Sequence, residues 1–208
     1  GDVSDMNQAL DAIRDIEGPD GPLGNHVEAI VLLRQVTEQP KSELLAQAAS
    51  LLKSAATRRP NSSAILATQG DIAYSKGDQP SALDYYQRAI ALGERRPRVL
   101  SRLSELFYQT GRIAEADRTL RKLESQSQIP SDLKPLAFAL SLWSNDLDRA
   151  LALAREATER QPQNYRNHIW LGQLLLILGQ RDEKQGLSED SSMHLKQAEE
   201  ELNRAVKL

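Results

Sequence analysis

At 208 residues, with 40% hydrophobic and 26% charged residues, the chain is globular in composition and long enough to bury a sizeable core, as one domain or a short array. Its 26 basic and 29 acidic residues leave a formal charge of -3, which offers no bulk attraction to nucleic acid or an anionic membrane, and aromatic residues at 4% leave few platforms for stacking bases. There is no cysteine, so a disulfide scaffold, a cysteine nucleophile and a thiolate metal site are excluded, and the longest strongly apolar run, Ile169 to Leu178, falls far short of the roughly 20 residues of a spanning helix.

In chain order, Met6, Ala9, Leu10, Ile13 and Ile16 form one amphipathic stripe, predicting a helix over 4–17 with Ser4 or Asp5 as cap and Gly18 as stop. The stretch GPDGPLGN, Gly18 to Asn25, reads as a turn cluster and lacks the Gly-Lys-Ser/Thr ending of a phosphate loop. His26 to about Glu38 is apolar nearly all round and predicts a helix ended by Gln39-Pro40. Ala48, Leu52 and Ala55 then stand at i, i+4 and i+7, which places them on one helical face.

That choice of sizes recurs. Ala82, Tyr86 and Ala89 lie 34 residues on, followed at the same stride by Ala116, Leu120 and Leu123 and by Ala150, Ala154 and Ala157, while Ala198, Leu202 and Ala205 follow after 48. A partner helix precedes the later copies with the faces Leu66, Gln69, Gly70, Ala73; Leu100, Leu103, Ser104, Phe107; Leu133, Leu136, Ala137, Leu140; and His168, Leu171, Gly172, Leu175. The small third member of each set (Gly70, Ser104, Ala137, Gly172) is expected to meet the small residue opening the second helix, so that the two helices approach closely. Gly77, Gly111, Asn145 and Gly179 sit between paired helices and read as left-handed caps. Pro60 and Pro162 mark breaks between repeats, and Pro135 falls in the first turn of its helix, where a missing amide costs nothing.

At these residues the chain resembles the tetratricopeptide repeat family, whose unit is a 34-residue helix-turn-helix. The resemblance covers roughly Val27 to Leu208 and implies an all-α fold, an α-α superhelix or right-handed solenoid of antiparallel helix pairs. It divides a single solenoid over 1–208 into a partial-repeat helix at 4–17, a divergent repeat at 26–62, repeats at 63–96, 97–130 and 131–164, and a repeat at 165–208 carrying a 14-residue insertion. That insertion, within QRDEKQGLSEDSSMHLKQ, reads as a solvated loop or helix extension; in a sharper reading Leu187 and Met193 fold back over Ile169, Leu176 and Ile177. Opening on glycine rather than methionine, and starting and stopping within repeats, the chain is expected to be a piece of a longer array from which a leader or upstream region has been removed.

No catalytic constellation stands out. His26, His168 and His194 form no His-Glu-x-x-His or other ligand spacing, no serine lies in a Gly-x-Ser-x-Gly elbow, and His168 is expected to pack rather than ligate. Glu199 to Glu201 and Arg95, Arg96, Arg98 read as solvated faces. Neither enzymatic activity nor a metal or cofactor is expected. The family resemblance implies instead a concave groove for a partner peptide or helix, at Asp71, Tyr74, Arg98, Ser101, Glu105, Tyr108, Lys134, Phe138, Arg166, Ile169 and Gln173, with Arg102 beside this row. There Tyr74, Tyr108 and Phe138 would supply rigid contact area and Arg98, Lys134 and Arg166 charge for carboxylates. Phe138 and Ile169 stand equally well as packing between repeats. The Lys and Asn pattern that clamps a terminal carboxylate in some members is replaced by Ala67, Asp71, Ser101 and Glu105. A non-catalytic scaffold that binds another protein is therefore the first expectation. A structural, self-associating segment of a larger protein, and hence a homo-oligomer, is the alternative; the acidic balance and the period of 34 argue against an RNA-binding repeat, and no nucleic-acid or membrane partner is expected.

Overall fold

The computed structural model describes residues 3–38, 42–126 and 129–208. All regular structure among the described residues is helical, so the fold is all-α. The chain divides into two compact units, 1–111 and 112–208.

The first unit holds α1 (Val3–Glu17), α2 (Pro22–Glu38), α3 (Ser42–Arg58), α4 (Ser63–Ser75), α5 (Gln79–Ala91) and α6 (Pro97–Gln109). Each packs against the next through α4, α5 packs on both α4 and α6, and α2 also touches α4. Two local expectations are corrected. Because α1 begins at Val3, Ser4 and Asp5 lie inside its first turn rather than capping it, and Asp5 there complements the helix dipole. Of its stripe, Leu10 is buried but Ile16 is 86% exposed. The turn after Gly18 closes by Gly21, because Pro22, whose fixed φ suits an opening position, starts α2, while Glu17 Oε2 accepts the otherwise orphaned amide of Leu23 at 2.8 Å. The Gln39-Pro40 break lies outside the described residues.

The size code explains the α4–α5 pair. Ala82, Tyr86 and Ala89 are all fully buried, and the Tyr86 ring lies so close over Gly70 that a Cβ there would fall 2.6 Å from two ring carbons. Gly70 is thus a seat for the Tyr86 ring, and that ring, rather than Ala82, is its nearest neighbour. The helices are joined by Gly77 in the left-handed region at φ +74°, after which the Asp78 amide donates to Ala73 O at 2.9 Å and Asp78 Oδ1 accepts from the Ser81 amide. A second core, around Ala29, Ala48, Leu52, Ala55, Ile65 and Ile72, joins α2 and α3 to α4.

The second unit holds α7 (Ile113–Glu124), a 3-10 turn at Ser131–Leu133, α8 (Lys134–Trp143), α9 (Leu147–Arg160), α10 (Tyr165–Lys184) and α11 (Ser188–Lys207), each helix packed on the next. The α8–α9 turn repeats the chemistry of α4–α5: Asn145 has φ +56°, Asp146 donates its amide to Ser141 O at 2.9 Å, and its carboxylate caps the Arg149 amide. Pro135 falls in the first turn of α8, as expected. Arg149 also ties α9 to α7, donating to Asp117 and Glu124, while Arg121 bridges Asp117 and Asp146.

The insertion corrects a third expectation. Gly179 is not a turn residue but lies within α10, and the left-handed position moves to Gly186 (φ +77°), where the Leu187 amide closes on Asp182 O at 2.9 Å as Asp78 and Asp146 do in theirs. The extra residues therefore divide evenly, seven lengthening α10 and seven lengthening α11. Seven residues are close to two helical turns, so both buried faces stay in phase. Ser191 takes the place Ala82 has after its turn, buried and bonded through Oγ to Gly179 O at 2.9 Å, and Leu195 crosses Gly179 as Tyr86 crosses Gly70. Of the two readings, helix extension is what forms; Leu187 and Met193 remain 45% and 47% exposed rather than folded back.

Candidate partner-binding site

In the first unit, Asp71 organises the expected row. Its carboxylate is 2% exposed, too deep to be read by a partner, and accepts from the Tyr86 hydroxyl at 2.8 Å, from Arg98 Nη2 at 2.5 Å and from Arg102 Nη1. Burial first, and then the charge of Asp71, push the Tyr86 phenol well above its ordinary range, so the phenol stays a donor. Arg102 lies over the Tyr74 ring, 4.8 Å from its centroid, and Tyr74 donates to Glu105 Oε2 at 3.1 Å. Ser101 turns its hydroxyl back onto Pro97 O. Exposure is left to Arg98, whose side chain is 52% accessible, and to Tyr108 at 44%.

Beside this network is a pocket of about 330 Å³ whose wall brings Ile30, Leu33 and Arg34 of α2 to Asp71 and Ser75 of α4 and to Arg96, Arg98 and Arg102 at α6. Four arginines thus line one pocket, and two of them, Arg98 and Arg102, are bound to its buried carboxylate. The Arg96 guanidinium is held at α6's first turn by the buried Glu94, which accepts from its Nε and Nη2 and from two backbone amides. The arginine run is therefore not a simple solvated face: Arg96 and Arg98 are both aimed by buried acids.

In the second unit, Lys134 is buried and paired with Glu156 at 3.0 Å, which also holds Arg160. Phe138 is buried and stacked on Trp170, with ring centroids 5.5 Å apart, so its face is already occupied. Ile169 is half-buried, and Arg166 and Gln173 are exposed. Lys134, Arg166 and Trp170 share a pocket of about 260 Å³ with Arg160, Asn164 and Asn167.

The histidines have packing partners. His26 Nε2–H donates to Thr68 Oγ1 at 2.9 Å, since that hydroxyl spends its own hydrogen on Ala64 O, and burial followed by the nearby Arg96 charge lowers the His26 pKa. His168 donates from Nε2 to Pro162 O at 2.9 Å and sets Nδ1 2.5 Å from Glu201, so Glu201 is not merely a solvated charge. Among the described residues, no group of three or more His, Cys, Asp or Glu could hold a metal ion, and no helix is long and apolar enough to cross a membrane.

The sequence profile described as tetratricopeptide repeat matches residues 33–97 and 136–183, more than half of the chain. The chain belongs to the tetratricopeptide repeat family. Among solved structures, this tetratricopeptide chain is similar to YrrB, described as a TPR protein with an unusual peptide-binding site, at 15% identity over 96% of each chain with a TM-score of 0.65. It is also similar to MamA from Desulfovibrio magneticus RS-1, at 14% identity over 87% of this chain and 96% of that one, with a TM-score of 0.55. At such identities the likeness speaks to the tetratricopeptide fold alone. No curated protein matches the sequence. Two pocket residues, Arg34 and Arg96, were missed from sequence. Arg34 lies on α2, whose all-round apolar pattern fixes no register, and Arg96 reads as part of a solvated run; the nearby Glu94 is the available signal.

Proposed function

We propose that this chain is a non-catalytic interaction module, its stretches 26–62, 63–96, 97–130, 131–164 and 165–208 being successive repeats, and that it receives an extended peptide or a helix of another protein. In the first unit the contact surface is Tyr74, Arg98, Ser101, Arg102, Glu105 and Tyr108, with Asp71 beneath it as the group that aims the arginines. In the second, Arg166 and Gln173 make exposed polar contacts, while Lys134 and Phe138 stiffen the wall behind them. The single observation that carries this reading is the half-exposed Arg98, fixed by a buried carboxylate beside an open pocket, on the same helix α6 that carries the exposed ring of Tyr108. A pre-aimed guanidinium and a rigid aromatic are the side chains that most often dominate protein interfaces. The peptide-binding site for which YrrB is described supports the same class of role.

The test is site-specific photo-crosslinking. A photoreactive phenylalanine analogue replaces Tyr108 in one variant and Arg88, an exposed residue of α5, in another. The reading expects a discrete protein adduct from position 108 that is absent from position 88. Identical adducts from both positions, or none from 108 with the fold intact by circular dichroism, would refute it.

A further inference from the structure

We infer that the pocket of the first unit is a subsite for glutamate side chains of the partner segment. This rests on the interaction-module reading and deepens it. The chain as a whole carries a formal charge of -3, yet the charged residues that line this pocket are Arg34, Arg96, Arg98 and Arg102 with Asp71 as the one acid, and Glu94 stands behind Arg96. The arginines are not dispersed by mutual repulsion because two buried acids hold three of them: Asp71 takes one N–H each from Arg98 and Arg102, and Glu94 takes two from Arg96. A guanidinium has five N–H groups, so each retains donors for a second acceptor.

The shape of the pocket chooses among anions. Its volume, about 330 Å³, suits one or two side chains, and on the α2 side Ile30 and Leu33 present half-buried apolar surface next to Arg34. A glutamate fits both features, with its methylenes lying on Ile30 and Leu33 and its carboxylate meeting the guanidinium fork. Phosphoserine has a shorter stem and a near-dianionic head that the Asp71 carboxylate would repel more strongly than it repels a monoanion.

The experiment uses the whole chain and a short fluorescein-labelled Gly-Ser peptide with a central Glu-Glu-Glu, alongside Gln-Gln-Gln and single-phosphoserine counterparts, followed by fluorescence anisotropy across a salt titration. The glutamate peptide should bind more tightly than both counterparts and weaken as salt rises. Arg98→Gln should reduce its affinity about tenfold, the loss expected for one charge-assisted hydrogen bond. Arg34→Gln, on a different helix, should weaken it in the same direction, whereas Arg88→Gln, an equal change of charge on an exposed α5 residue, should not. Equal binding of the glutamine peptide, equal loss in Arg88→Gln and Arg98→Gln, or tighter binding of the phosphoserine peptide each overturns the assignment. If the glutamate peptide fails while crosslinking at Tyr108 still yields a discrete adduct, the subsite falls and the module reading stands.

Discussion

Replacing Gly70 by alanine is the most direct test of how α4 and α5 are held together. Alanine gains about 1 kcal/mol over glycine from helix propensity alone, so an open site would become more stable. Here the new Cβ would lie 2.6 Å from Cδ1 and Cε1 of Tyr86, where ordinary carbon contacts are about 3.5 to 4.0 Å, so helix or ring must yield by about 1 Å. The ring has no room to yield: Tyr86 is fully buried and its hydroxyl is tethered to Asp71 at 2.8 Å. Overpacking of this kind costs about 1 to 3 kcal/mol, and with both ends of the ring fixed the upper part applies, leaving a net loss of about 2 kcal/mol. For a chain of this length that is a fall in Tm of about 4 to 8 °C, measurable by circular dichroism. The control is a double-mutant cycle with Tyr86→Leu, which removes the ring and should couple to Gly70→Ala by about 1 kcal/mol or more. A neutral or stabilising Gly70→Ala, or strict additivity with Tyr86→Leu, would refute the seat.

Two further outcomes follow from the buried polar groups. Asp71→Ala leaves the Tyr86 hydroxyl and the half-buried Arg102 without their acceptor and should cost about 3 kcal/mol, whereas Asp71→Asn keeps an acceptor and should cost less, about 1 to 2 kcal/mol; urea unfolding measures both, and equal effects would count against the network. Because burial and Arg96 hold the His26 pKa below its ordinary 6.5, the unfolded chain takes up a proton that the folded chain declines. The His26 contribution is therefore full above about pH 6.5 and is lost as pH falls through the lower folded value. Urea midpoints should fall across that window, and less steeply in His26→Gln, which retains a donor for Thr68; an unchanged slope would remove His26 as the cause.

Side-chain size made the helices legible from sequence. An alanine stripe at a constant stride marks where two helices must touch, and the buried Ala48, Ala82, Ala116, Ala150 and Ala198 all sit where that stripe put them. The same rule failed at Gly179, because glycine serves equally as a left-handed cap and as the floor of a helix crossing. Which use applies depends on whether helix-forming residues continue beyond it, as Gln180 to Lys184 do. The candidate site was less legible. Asp71 reads as a groove residue by position, but its burial is set by Arg98, Arg102 and Tyr86, which lie 27, 31 and 15 residues away. Lys134 and Phe138 are occupied by Glu156 and Trp170 in the same way, by neighbours that the repeat register does not name.

Asp71 belongs at once to the packing of α4 on α5, through Tyr86, and to the charge of the pocket, through Arg98 and Arg102. On the proposed reading, ligand preference at this face is consequently not a free variable. A lineage drifting toward cationic partners could not simply exchange the arginines, because doing so would strand the acid beneath them and loosen the tyrosine it tethers; recognition and folding would have to change together.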